Sequence, residues 1–179
     1  MSIVVREATP QDVSHMHDMI LELAIYEKDP DAVVATEEDL LHALFGGTRH
    51  FESKAATPSG SPGVFAFVID SPDGTGLAGM AIWMLNYSTW EGKHGVYLED
   101  LYVREQFRGK GFGKALLVKL AQVCTDNGYT RFQWWVLDWN QPAIDVYRAM
   151  GAQPMDEWTV YRVSGPALTE LSKTASDLD

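Results

Sequence analysis

Three glycines fall within five residues at one junction of the chain, Arg108-Gly109-Lys110-Gly111-Phe112-Gly113-Lys114. Upstream, Val96 to Val103 is rich in β-forming residues; downstream, Leu116, Leu117, Leu120, Val123 and Cys124 recur as the apolar stripe of a helix from about Gly111 to Asp126. Asn127-Gly128 stops that helix. A helix start presents unpaired N–H groups and the positive end of the helix dipole, and glycines let a phosphate approach the backbone closely. Two common phosphate motifs fail on spacing. A P-loop would need glycine where Arg108 stands and Ser or Thr where Ala115 stands, and a dinucleotide fingerprint would need glycine where Lys114 stands. What remains is R-x-x-G-x-G at the head of a helix. Taken alone, it suits a simple turn as well as a ligand cradle.

Charge sharpens the choice. The chain carries 14 Lys and Arg against 25 Asp and Glu, a net charge of −11, which disfavours binding to nucleic-acid backbones and favours a cationic partner or a merely solvated surface. The distribution is uneven. Asp18 to Asp39 holds eight acids and one base, whereas Arg104 to Lys119 holds five bases and one acid. The basic island is centred on the glycine turn.

At 179 residues the chain has the length of one domain, expected over 1–165 with a weakly patterned tail over 166–179. Ile3 to Glu7 is expected to be a first strand, and Thr9-Pro10 to open a helix reaching about Ala24. Thr36-Glu37-Glu38-Asp39 reads as a capping box for a second helix ending at Gly46-Gly47. Residues 54–63 read as a loop, and Val64–Ile69 and Leu77–Leu85 as a hairpin. In the strand Val96–Val103, Val96 and Leu98 share one parity and Leu101 and Val103 the other, so alternation slips around Glu99-Asp100. A β-bulge accounts for the slip, and so does a strand buried on both faces. Tyr129–Leu137 is β-rich, Asn140 caps a helix with Pro142 in its first turn and Gly151 past its end, and Pro154–Val163 is expected to form a final hairpin. The order predicts an α/β (α+β mixed) fold: a central mixed, mostly antiparallel sheet of about seven strands, two right-handed crossovers, and helices on both faces.

R-x-x-G-x-G after an irregular strand, followed by a helix, a strand and an Asn-capped helix carrying Tyr147, resembles the GNAT superfamily of acetyl-CoA-dependent N-acetyltransferases. Leu23 to Lys28, Tyr87 to Lys93, Tyr97 to Val103 and Val136 to Gln141 resemble its diamine (spermidine/spermine) acetyltransferases, and Tyr87-Ser88-Thr89-Trp90 with Val136 to Gln141 is similar to the thialysine-acetylating branch. The resemblance implies the following roles. Glu99 acts as base through water, and Tyr147 as the general acid for the leaving thiolate. Leu101, Tyr102 and Val103 pair with the pantetheine arm, while Arg108, Gly109, Lys110, Gly111, Phe112, Gly113 and Lys114 hold the pyrophosphate. Asn140, Pro142 and Ala143 hold adjacent groups. Tyr26, Glu27, Glu99, Trp135 and Asp156 line the amine site, with Glu157 as the alternative to Asp156.

The chemistry needs such groups. An alkylammonium with a pKa near 10.4 is neutral in about one molecule in a few thousand at pH 7, so its proton must be taken up. The leaving thiolate needs a proton and the carbonyl oxygen needs donors. On the residues alone, an exposed strand carboxylate is the alternative for Glu99, and Ala143, Tyr147 and Met150 read as a core stripe.

The resulting expectation is acetyl transfer from acetyl-CoA to a small cationic amine, a di- or polyamine or a lysine analogue such as thialysine, by direct attack in a ternary complex. Acetylation of a protein lysine or an antibiotic amine, and a non-catalytic CoA sensor, are the alternatives. No metal is expected: His15 and His17 face different ways on a helix, and His42, His50 and His94 have no ligand-like neighbours. No G-x-S-x-G elbow is present, Cys124 sits in a core stripe, and Trp134, Trp135 and Trp139 read as core and pocket wall. With one cysteine, no apolar run of membrane length and no leader-like start, a cytoplasmic protein is expected, with no nucleic-acid or membrane partner; the resemblance implies a homodimer.

Overall fold

The computed structural model describes residues 3–46 and 63–174. Its elements in chain order are β1 (Arg6–Glu7), α1 (Val13–Tyr26), α2 (Glu37–Phe45), β2 (Phe65–Asp70), β3 (Leu77–Ser88), β4 (Lys93–Val103), α3 (Phe112–Asn127), β5 (Phe132–Trp134), α4 (Gln141–Ala149) and α5 (Gly165–Lys173). They fall into two compact units, Met1–Trp135 and Val136–Asp179.

The first unit holds the whole sheet, in the order β1-β2-β3-β4-β5. β1 to β4 are antiparallel neighbours, and β5 lies parallel to β4 after the α3 crossing. Strand parity sends side chains to two layers. Ala66, Val68, Met80, Ile82 and Tyr102 pack with Met16 and Met19 of α1 and Leu44 of α2. On the opposite face, Phe65 and Phe67 stack on Trp83 with ring centroids 4.6 and 5.7 Å apart, and Lys119 of α3 sits 5.5 Å from the Phe67 ring. Leu116, Leu117 and Leu120 of α3 are fully buried. Helices therefore cover both faces, as expected. Cys124, also on this stripe, is buried, and burial pushes its thiol pKa up.

Local rules account for the helix starts. Thr36 and Asp39 form the capping box reciprocally, at 3.2 and 2.9 Å. At the head of α1, a single-turn 3-10 segment Pro10–Asp12 precedes the helix, and Asp12 accepts two bonds from Arg6 of β1 at 2.7 and 2.8 Å. Arg6 also bonds Asp70 at the end of β2, so one guanidinium ties β1, α1 and β2 together.

Several expectations are corrected. The sheet has five strands among the described residues, where about seven were expected. Pro154–Val163 forms no strand: it makes a turn in which Trp158 N donates to Met155 O at 3.0 Å, and Tyr161 is 90% exposed. Its aromatic and β-branched residues carry strand propensity, but propensity without a neighbouring ladder does not make a strand. The Tyr129–Leu137 strand shrinks to the three residues of β5, and the first strand to Arg6–Glu7. The weakly patterned tail begins with α5. Gly47, His50 and most of the 54–63 loop lie outside the described residues.

The second unit contains α4 and α5. Asn140 is buried and caps α4, its side chain accepting from Ala143 N at 3.4 Å, and Gly151 adopts φ +89° just beyond the helix end.

Candidate active site

The parity slip in β4 is a bulge. Ile82 pairs with Asp100 while Trp83 pairs with Leu98, so Glu99 is an extra residue opposite no partner. The bulge reverses parity, which puts Val96, Leu98, Leu101 and Val103 on the α3 face and Asp100 and Tyr102 on the α1 face. It also coincides with the end of the β4–β5 pairing, which runs Val96–Phe132, Tyr97–Gln133 and Leu98–Trp134 and then stops. From Asp100 to Val103, β4 stays bonded to β3 but has no described strand on its other edge. Backbone N–H and C=O groups on an open edge are available to a ligand.

Acids gather on the α1 side of this segment. Glu99 is exposed, and Asp100 is half-buried. The Asp100 pKa is pushed up to about 6, by burial first and then by the Glu99 and Glu27 carboxylates. Burial also raises Glu27, which follows the last residue of α1. Asp100 was missed in the sequence, where its adjacency to Glu99 in an apolar strand was the available signal. Its orientation depends on the bulge.

Next to these acids, Arg108 lies with its guanidinium 4.8 Å from the Tyr26 ring centroid and 5.5 Å from that of Tyr102, its Nε donating to Val103 O at 2.9 Å. Arg104 is held by Glu22 at 3.0 Å. Burial, with the Glu22 charge, raises the Tyr102 pKa. Glu22, Tyr26, Tyr102, Arg104, Glu105 and Arg108 line an open cleft of about 470 Å³.

The glycine turn follows. Gly109 and Gly111 have φ of +72° and +87°, which L side chains adopt at a cost, while Gly113 lies in the first turn of α3 and has no positive φ. The first-turn amides of a helix, here from Phe112, Gly113 and Lys114, have no acceptor within the helix. Lys110 Nζ bonds Gln106 O at 2.9 Å and stays exposed beside the turn. The exposed turn, the free amides and the neighbouring lysines fit a pyrophosphate.

The first unit thus brings together Tyr26, Glu27, Glu99, Leu101 to Val103 and Arg108 to Lys114. Trp135 ends that unit, 57% exposed, with its ring edge-on to Tyr97 at 5.7 Å. Asn140, Pro142, Ala143 and Tyr147 belong to α4 and its cap, with Tyr147 half-buried, and Asp156 and Glu157 lie exposed in the 155–158 turn. These stand in the second unit. Among the described residues no three His, Cys, Asp or Glu side chains are grouped as metal ligands, and no helix is long and apolar enough to cross a membrane.

A sheet opened beside a bulge, with a glycine-turned helix start at the end of the same strand, is the architecture of an N-acetyltransferase. The chain belongs to the acetyltransferase (GNAT) family, whose model matches residues 25–152. It is 37% identical over 173 residues to the thialysine N-epsilon-acetyltransferase of Bos taurus, covering 95% of this chain and 97% of that protein. It is 32% identical to an L-ornithine N5-acetyltransferase of Arabidopsis thaliana, covering 94% and 87%. Among solved structures, an integron cassette protein from the mobile metagenome of V. cholerae shares the fold with a TM-score of 0.72 at 24% identity, over 97% of this chain and 99% of that one. The motif-based resemblance is borne out at the level of family and branch.

Proposed function

We propose that the chain transfers an acetyl group from acetyl-CoA to the primary amine of a small cationic substrate, a di- or polyamine or a lysine analogue such as thialysine, by direct attack in a ternary complex. The observation that carries this reading is the single-residue bulge at Glu99, where the β4 edge opens, acids collect on one side, and the glycine turn follows within the next dozen residues. Acetyl-CoA supplies the activated acyl group. On this reading Leu101 to Val103 bind the pantetheine arm through the open edge, and Arg108 to Lys114 hold the pyrophosphate. Tyr26, Glu27, Glu99 and Trp135 receive the amine, and Asp100 adds a carboxylate whose charge favours a cation. Glu99 accepts the ammonium proton through water.

Residues of the second unit enter by family resemblance: Asn140, Pro142 and Ala143 as donor-binding groups, Asp156 as an amine contact, and Tyr147 as the acid whose Oη gives its proton to the departing sulfur. A homodimeric assembly has the same support, whereas residues 1–165 acting as one catalytic domain rests on the length of the chain and a cytoplasmic site of action on its single cysteine. The two relatives described above make an amino-acid amine as good a candidate as a polyamine.

The test is a panel of thialysine, ornithine, lysine, putrescine, spermidine, an aminoglycoside and a lysyl peptide, with CoA release measured for each. Turnover concentrated on the small amines is the expected result. Turnover only on the peptide or the aminoglycoside overturns the substrate assignment. Tight CoA binding with no turnover on any amine identifies a sensor instead.

A further inference from the structure

β5 pairs with β4 through three residues only, yet the end of that pairing fixes where the open edge begins. So short a parallel ladder is weak by itself. A second set of bonds crosses β4 at Gly95. Asn86 of β3, which faces Gly95 in register, donates from Nδ2 to Gln133 Oε1 of β5 at 2.8 Å and accepts from Arg131 Nε at 3.3 Å. The backbone beneath adds Val96 N to Arg131 O at 3.0 Å. Gly95 is what allows the crossing: a Cβ there would come within 2.5 Å of both Arg131 Cγ and Asn86 Oδ1, and 2.8 Å of Arg131 O. Side chains from the third and fifth strands therefore meet over the fourth through a gap left by a missing methyl.

We infer that the Asn86–Arg131–Gln133 clasp over Gly95 is a positioning device for the reaction, holding β5 in the register that ends its pairing at Trp134 and so leaves the β4 edge open for the acyl donor. Sliding of β5 by one residue would reverse its side-chain faces, and fraying would widen the mouth. None of the clasp residues need touch substrate; each acts through the placement of β5. The inference rests on the proposal that acetyl-CoA binds the open edge.

The test measures CoA binding by calorimetry, melting temperature, and hydrogen exchange at the Val96 amide for the full chain and its variants. Asn86→Ala is expected to weaken CoA by at least about fivefold, the affinity equivalent of one ordinary hydrogen bond, with faster exchange at Val96. Asn86→Asp is expected to restore affinity, because the Gln133 amide can rotate to donate and Arg131 keeps its acceptor. Leu44→Ala, in the core on the α2 side, supplies a destabilised control and should leave CoA affinity unchanged. Wild-type affinity in Asn86→Ala, an equal loss in the Leu44 control, or no rescue by Asn86→Asp overturns the clasp. A wild-type chain that does not bind CoA overturns the acetyl-CoA reading itself and removes the basis of the clasp with it.

Discussion

Asp100 holds its charge at the expense of the fold, and replacing it with Asn should make the protein more stable and less able to bind its amine. Its pKa rises from an ordinary 3.8 to about 6, because burial, Glu99 and Glu27 all oppose ionisation. A carboxylate with a raised folded pKa costs nothing below its unfolded pKa; the cost grows as pH rises and is complete above the folded pKa. Two pH units correspond to about 3 kcal/mol at pH 8. The neutral amide of the Asp100→Asn variant carries none of this penalty. For a chain of this size that predicts a melting temperature raised by up to about 6–12 °C at pH 8, with the gain falling to roughly a third at pH 4.5. The same substitution should raise the amine KM by about tenfold, a fraction of the roughly 4 kcal/mol between unit charges 4 Å apart near a protein surface. Thermal melts across pH 4.5–8 and steady-state kinetics on the preferred amine read both. A stability gain that does not change with pH, or a variant less stable at pH 8, would refute the assignment of the cost to a buried charge.

The Arg6–Asp12 pair has the opposite sign. Hydrogen bonding from Arg6 lowers the Asp12 pKa to about 2, so its stabilisation is full above pH 4 and is lost as pH falls through 2. Asp12→Asn should cost about 1–2 kcal/mol at pH 7, allowing for solvent screening, and little at pH 2, as urea titrations at the two pH values would show. Gly111→Ala forces a Cβ into φ +87°, with Ile3 Cδ1 an unstrained 3.5 Å away, so its cost is conformational, about 1–2 kcal/mol, together with weaker CoA binding. Gly113→Ala should be tolerated, because that Cβ meets only Val103 Cγ2 at 3.8 Å; equal effects at the two glycines in a CoA titration would contradict this. Tyr147→Phe should lower kcat with CoA affinity retained, and an unchanged kcat would remove Tyr147 from the acid role.

The glycine turn, the helix caps and the apolar stripes were legible because each is set within a few residues of chain. The slip at Glu99-Asp100 was visible too, but a bulge and a doubly buried strand give the same pattern, and only the pairing of Ile82 with Asp100 and Trp83 with Leu98 separates them. Asp100 escaped notice for the same reason: which layer it faces depends on the parity reversal. Arg131 and Asn86 lie 45 residues apart, and nothing local to either announces the crossing at Gly95. The final hairpin failed because strand propensity in 154–163 has no ladder to join among the described residues.

The extra residue at 99 works as a frameshift in a code with a word length of two. Upstream of it, odd-numbered positions of β4 look toward α1; downstream, even-numbered ones do. Removing Glu99 would restore regular alternation, with Leu98 still opposite Trp83 and Asp100 still opposite Ile82, so the other side chains of β4 would keep their layers and the loss would be the bulge itself with the carboxylate it carries. Length changes at the β3–β4 tip, where Trp90 is 90% exposed, leave that frame untouched. A residue gained between Asp100 and Tyr102 would exchange the layers of the positions beyond it and send Tyr102 toward α3.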